Sequence, residues 1–230
     1  MNFRKILIRK TLGEDTYQAY KLTKKFPSVN LPIVSRLTQK GFYLHEKGWI
    51  KSISSQESVD ADGNPLPWIT YPAIHFLSSR VNPNMRVFEY GSGNSTLWWS
   101  DKVKKVHSCE HNSEYYKKLK PHLPDNVNLS LVPLVYGGAY SKAIQSCDER
   151  FDVVVIDGRD RVNCAKNCLN RLKKEGIIIW DNTDREAYRE GYDYLKRFSF
   201  KQIQFCGMSP INVSESETSI FYRNNNCLGI

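Results

Sequence analysis

The chain has 230 residues, 40% of them hydrophobic and 25% charged, which suits one globular domain with an appendage and excludes a disordered chain. Its formal charge of +9 is lopsided: residues 1–51 hold eleven Lys and Arg against three Asp and Glu, while the rest is nearly balanced. No apolar run approaches the ~20 residues that span a bilayer, and residues 6–8 are too short for a secretory core of about 7–15, so the expected location is the cytoplasm.

Residues 1–80 read as an N-terminal basic and aromatic extension. The segment up to Lys25 is expected to be helical. Its charge either offers a dock for an anionic partner or simply forms a solvated helix surface. Gly41, Gly48, the run Asp62-Gly63-Asn64-Pro65 and Pro67 then punctuate the chain. Residues 66–72 (LPWITYP) are too rich in proline for a central strand, and Pro72 opens a short helix through residue 77. Trp68 and Tyr71, just before the main domain, read as a candidate lid over the substrate or as ordinary packing.

Residues 81–230 alternate between strands and helices. Strands are expected at 86–90, 105–110, 127–132, 151–157 and 177–180, with helices from about 95, at 113–120, at 160–174 and at 184–198. Two late strands, 201–206 and 218–223, close the chain as an antiparallel pair. The run FDVVVID is β-branched as a strand covered on both faces is. The pattern predicts an α/β fold, doubly wound around a mostly parallel sheet. Six cysteines form no Cys-x-x-Cys pair and no zinc spacing. Cys164 and Cys168 share a helix face and read as small buried hydrophobes.

The chemistry concentrates where the first strand ends. In Glu89-Tyr90-Gly91-Ser92-Gly93-Asn94-Ser95-Thr96 a strand runs into a glycine turn and a helix begins at once. Glycines let a ligand approach the backbone, and the helix start leaves N–H groups unpaired. Glu110 ends the next strand, where an acid accepts ribose hydroxyls. A third glycine is missing, and the acid Glu89 suits a cationic ligand group better than a pyrophosphate.

FEYGSGNST resembles the first motif of class I S-adenosylmethionine (SAM)-dependent methyltransferases, Asp/Glu-x-Gly-x-Gly. The order of elements over residues 80–223 is similar as well. The resemblance implies a seven-stranded Rossmann-like sheet with an antiparallel last strand. It implies that Gly91 and Gly93 approach the methionyl part of SAM beside Glu89, that Glu110 holds the ribose and that His111 lies near the adenine. Tyr90, Ser92, Ser95, Thr96, Asp157 and Gly158 complete the expected cofactor site.

Asp157 and the pair Asp181-Asn182 end neighbouring strands on one sheet edge. They are similar to the acidic set that holds a divalent cation in metal-dependent O-methyltransferases, which implies Mg²⁺ or a similar ion there. The same pair would also cap the following helix. Where those enzymes place a lysine, this chain has Arg159, Asp160 and Arg161. Asp157, Asp160 and Asp181 are therefore the candidate catalytic groups. Arg159 and Tyr140 are candidate substrate contacts, with Arg159 or Arg161 able to pair with an acidic substrate. No Asn/Asp-Pro-Pro-Tyr/Phe motif is present, and no basic stripe runs through the catalytic half, so a nucleic-acid substrate is not expected. The reading is a methyltransferase acting on a hydroxyl of a small molecule or glycan. Its alternative is a catalytically weak module that binds a partner through the basic arm.

Overall fold

The computed structural model describes residues 36–37 and 39–230. The basic arm up to Lys25 lies outside the described residues. Among them no helix is long and apolar enough to cross a membrane. Contacts divide the described chain into two units: residues up to Pro65 with Pro210–Asn212, and Leu66–Ser209 with Val213–Ile230.

The smaller unit holds helices α1 (Tyr43–Glu46) and α2 (Trp49–Ser55). Asp60 organises the loop after α2. Its Oδ1 accepts from the backbone N–H groups of Asp62, Gly63 and Asn64, and its Oδ2 from the Asn64 amide. Those donors hold its carboxyl below the usual range against the cost of burial.

In the larger unit, α3 (Tyr71–Ser78) opens with proline in its first turn, as the sequence predicts. The segment before it is tied to the sheet: Thr70 N–H donates to Thr218 Oγ1 and Thr70 Oγ1 to the Phe205 carbonyl. Tyr71 N–H donates to the Met208 carbonyl. Residues 66–78 are therefore tied to the sheet.

Seven strands follow: β1 (Arg86–Tyr90), β2 (Lys105–Glu110), β3 (Val127–Leu131), β4 (Phe151–Ile156), β5 (Leu172–Asp181), β6 (Lys201–Gly207) and β7 (Ser216–Tyr222). Their order is β3-β2-β1-β4-β5-β7-β6. β1 through β5 pair in parallel, and β7 alone runs antiparallel to both neighbours. The helices α4 (Asn94–Lys102), α5 (Ser113–Leu119), α6 (Ala139–Lys142), α7 (Arg161–Cys168) and α8 (Arg189–Arg197) make the crossovers. The fully buried residues Val153, Val154, Ile177, Ile178 and Ile179 make β4 and β5 the centre of the core.

Two boundaries differ from the sequence pattern. The helix expected over 160–174 stops at Cys168, and β5 begins at Leu172. Leu172 pairs with Phe151, and the next pair is Ile177 with Val153, so the charged run 173–176 bulges out of the ladder. Polar residues on a bulge mimic an exposed helix end. The helix expected from 184 begins instead as a 3₁₀ turn at Glu186 and becomes α8 at Arg189.

Candidate functional site

The strand order reverses between β1 and β4, and ligands of open α/β sheets bind at that switch point beyond the strand ends. Here the two backbones nearly touch. A Cβ on Gly91 would lie 3.3 Å from the Gly158 nitrogen, and one on Gly158 would lie 2.9 Å from the Tyr90 carbonyl. Gly91 also has φ of +109°. Only glycine permits both the turn and this approach.

Glu89, two residues earlier, is fully buried and turned inward. Its carboxylate accepts from the hydroxyls of Ser95, of Thr96 (2.5 Å) and of Ser108 (3.0 Å). Burial nevertheless pushes its carboxyl up to about 7, against those three hydrogen bonds. Thr96 Oγ1 in turn accepts from Gly93 N–H at 3.0 Å. Glu89 therefore clamps the glycine loop and the first turn of α4 together. Ser108 belongs to this clamp and carries no motif that sequence reasoning could have used.

Glu110 lies on the other side of the loop. Its Oε2 accepts from Ser92 Oγ at 2.8 Å, and its Oε1 from the N–H groups of His111 and Asn112 at 2.8 and 2.7 Å. Asn112 caps α5 by accepting from Glu114 and Tyr115 N–H. A hydroxyl, a rigid acid and an N-terminal helix turn thus face the glycine loop together. This donor and acceptor set fits SAM. Gly91–Gly93 with Ser92 would line the methionyl end, Glu110 the ribose and His111 the base.

Three of the expected site residues turn their side chains into the core. The Tyr90 ring is buried and its hydroxyl donates to the Ser141 carbonyl at 2.8 Å, so only its backbone reaches the site. Thr96 is fully buried behind the loop. Tyr140 is fully buried in the core, against Tyr90 and His111, rather than bordering a pocket. In each case the sequence marks the residue but not the direction of its side chain. Tyr71 is buried as well, whereas Trp68 and Arg159 are exposed.

The corner formed by the ends of β4 and β5 is held by Arg161. This guanidinium is buried on the first turn of α7. It donates to Asp157 Oδ1 at 3.1 Å and to the carbonyls of Asp157 and Gly158, both at 3.0 Å. A further bond reaches the Asp181 carbonyl. Asp181 is buried, and its Oδ1 accepts from Thr218 Oγ1 at 2.6 Å. Burial raises the carboxyls of both Asp157 and Asp181; Arg161 pulls each back, and the charge of Asp157 adds to the rise at Asp181.

The structure gives no support to the divalent cation expected on Asp157, Asp181 and Asn182. A fixed positive charge already bridges the two strand ends, and among the described residues no three His, Cys, Asp or Glu side chains converge on one point. Nor does the pair cap a helix, since α8 starts well beyond it and has no side-chain cap. Asp160 is also committed elsewhere. Its Oδ2 accepts from Gly137 N–H at 2.8 Å and its Oδ1 from Asn163 at 2.7 Å, which fixes the turn before α6.

Comparisons agree with this geometry. Residues 88–183 match the profile of a methyltransferase-domain family. No curated protein sequence matches the chain. Among solved structures, a precorrin-6y C5,15-methyltransferase from Geobacter metallireducens aligns at a TM-score of 0.53 and 15% identity, covering 66% of this chain and 87% of its own. A precorrin-8w decarboxylase from Methanobacterium thermoautotrophicum gives 0.51 and 18%, covering 74% and 97%. A SAM-dependent O-methyltransferase from Thermotoga maritima gives 0.50 and 17%, covering 69% and 67%. At such identities the structures speak to the fold alone. The fold is the Rossmann-like one of class I methyltransferases, and residues 88–183, which hold most of the glycine loop and the β4–β5 corner, are similar to a methyltransferase domain.

Proposed function

We propose that the protein methylates a hydroxyl oxygen of a small molecule or glycan. The observation that carries this reading is the pair Asp157 and Asp181, poised beside the glycine loop with carboxyls raised by burial. Asp157 N–H donates to the Tyr90 carbonyl at 3.2 Å, which ties the carboxylate to the end of β1. Its side chain keeps 24% exposure, so an acceptor group can reach it.

Bound SAM supplies an electrophilic methyl group on a sulfonium. The chain has to align the acceptor, exclude water and remove one proton. A carboxylate whose affinity for protons is raised toward neutrality is a better base than an ordinary aspartate. Asp157 Oδ2 takes the hydroxyl proton in this reading, while Arg161 holds Oδ1 and keeps the group ionised. Arg159, exposed at the start of the same loop, meets an anionic group on the acceptor.

The test is methyl transfer from isotope-labelled SAM to pooled hydroxyl-bearing acceptors, with products located by mass spectrometry. Label on oxygen is expected. Asp157→Asn should lower turnover by at least about a hundredfold, within the span of general-base effects, while S-adenosylhomocysteine affinity stays unchanged. Label on nitrogen or carbon, or full activity of Asp157→Asn, would overturn the proposal.

A further inference from the structure

An open cavity lies against the sheet, on the face of β1, β2 and β3. It encloses about 410 Å³ and is lined by Phe88, His107, Asn128, Ser146, Cys147 and Glu149 among others. Its origin is topological. The crossover from β3 to β4 carries only α6 and a 3₁₀ turn, Ala143–Ser146, where a longer helix would cover these strands. That size falls within the range of sites for small molecules.

Three side chains on its wall form a chain of contacts. Cys147 Sγ lies 3.7 Å from His107 Nδ1. His107 Nε2 lies 2.7 Å from Glu149 Oε1. Glu149 is anchored by Lys105 at 2.7 Å and Arg86 at 2.8 Å. Those partners hold Glu149 below the usual carboxyl range despite its burial, so it is an acceptor only. His107 Nε2 must then carry the proton. Burial lowers this imidazole below the ordinary histidine range, and with Nε2–H on Glu149 the Nδ1 atom faces the thiol. The contact with Asn128 on the same nitrogen is long, 3.5 Å. A nucleophile, a base and an orienting acid in this order are the parts of a base-assisted thiol.

We propose that this cavity is a thiolation site, in which Cys147 reacts with small polar disulfides. The Cys147 proton passes to His107 Nδ1 as Sγ attacks one sulfur of the disulfide. The old S–S bond breaks, a new one forms to Cys147, and the second sulfur leaves as a thiolate that takes the proton back from the imidazolium. Cys147 is oxidised and the incoming disulfide is reduced. Lys105, Asn128 and Ser146 give the cavity wall donors for the polar ends of such a compound. Cys147, His107 and Glu149 lie outside the glycine loop, although the cavity wall shares Ser108 with the clamp on Glu89.

Cys206 provides an internal control. It is exposed, whereas Cys147 is half-buried; burial and a nearby carboxylate (Glu217 at 3.6 Å for Cys206, Glu149 for Cys147) raise both thiols, but only Cys147 has a positioned imidazole. The whole protein is incubated with glutathione disulfide, and the rate at each cysteine is read by peptide mass. Cys147 should react faster than Cys206 despite its lower exposure. His107→Gln should slow Cys147 at least about tenfold, a modest general-base effect, and leave Cys206 unchanged. If Cys206 reacts first in the unaltered protein, the proposal fails without any variant. It fails equally if Cys147 reacts at one rate with and without His107. Modification of the buried Cys109, Cys164 and Cys168 in the variant would reveal unfolding, and the wild-type ranking then decides alone.

Discussion

Replacing Glu89 with Gln separates its charge from its hydrogen bonds. The carboxyl moves from an ordinary 4.5 to about 7 on folding, because burial outweighs three hydroxyl donors. A folded-state pKa above the unfolded one means that the folded chain binds more protons between those two values. This contribution is therefore complete below about pH 4.5 and is lost as pH rises through 7. Converted at 1.36 kcal/mol per unit, the loss is about 3 kcal/mol. Gln cannot titrate. It can also keep a carbonyl oxygen toward Thr96 and Ser108 while its amide faces Ser95, which is partly exposed and can turn its own proton away. Urea unfolding of wild type and Glu89→Gln at pH 4.5, 6 and 8 should show the wild type losing about 3 kcal/mol relative to the variant across that window. S-adenosylhomocysteine affinity, by calorimetry, should change little, because the carboxylate faces the loop's own hydroxyls. Parallel pH profiles would refute the raised pKa. A collapse of affinity in a folded variant would refute the clamp and return Glu89 to direct contact with the cofactor.

The same geometry yields three further expectations. Gly158→Ala places a Cβ 2.0 Å from the Tyr140 hydroxyl and 2.9 Å from the Tyr90 carbonyl. Thermal melting should show a loss of at least about 1–3 kcal/mol, typical of overpacking, together with loss of S-adenosylhomocysteine binding. Arg161→Met removes the partner of the partly exposed Asp157 carboxyl and the positive charge beside buried Asp181, and denaturant titration at pH 8 should show up to about 3–5 kcal/mol lost. The loss should shrink at pH 5, where the raised carboxyls of Asp157 and Asp181 take up protons. Asp160→Ala removes two hydrogen bonds that fix the turn before α6, at about 1–3 kcal/mol each. Its turnover per folded molecule should stay within a few-fold; a hundredfold fall would make Asp160 catalytic after all.

What the sequence revealed follows from which physical signals are local. The β-branched run of β4 and the strand–glycine–helix passage at Gly91 are local, and both lie where the pattern puts them. Pairing register is not local. Lys173, Lys174 and Glu175 look like the end of a helix, but they bulge from β5 because Leu172 finds Phe151 five residues before the main ladder resumes at Ile177. Side-chain direction is not local either. Tyr90 and Tyr140 sit at the right positions for ligand contact, yet both rings point into the core. The partners of Glu89 illustrate both cases: Ser95 and Thr96 lie within its own motif, whereas Ser108 reaches it across the β1–β2 pairing.

Arg161 shows how one such non-local contact redirects the chemistry. From sequence it is a cation near a loop, free to meet an acidic substrate. In the fold it is four residues from Asp157 on the first turn of α7, and the β4–β5 pairing brings the Asp181 carbonyl to its other side. A divalent ion in that corner would coordinate the acceptor oxygen and lower its pKa directly. A guanidinium has no open coordination position and cannot lose its proton near neutral pH. It offsets part of the rise at each carboxyl, and burial leaves both above the ordinary range. In the proposed reading, removal of the acceptor's proton then falls to the carboxylates, with Asp157 the partly exposed member and Asp181 the buried one. Adding Mg²⁺ should leave turnover unchanged, whereas raising the pH through the Asp157 range should increase it as the base loses its proton. Strict dependence on a divalent ion, with chelators abolishing turnover, would mean that Arg161 moves aside and that the resting arrangement is not the working one.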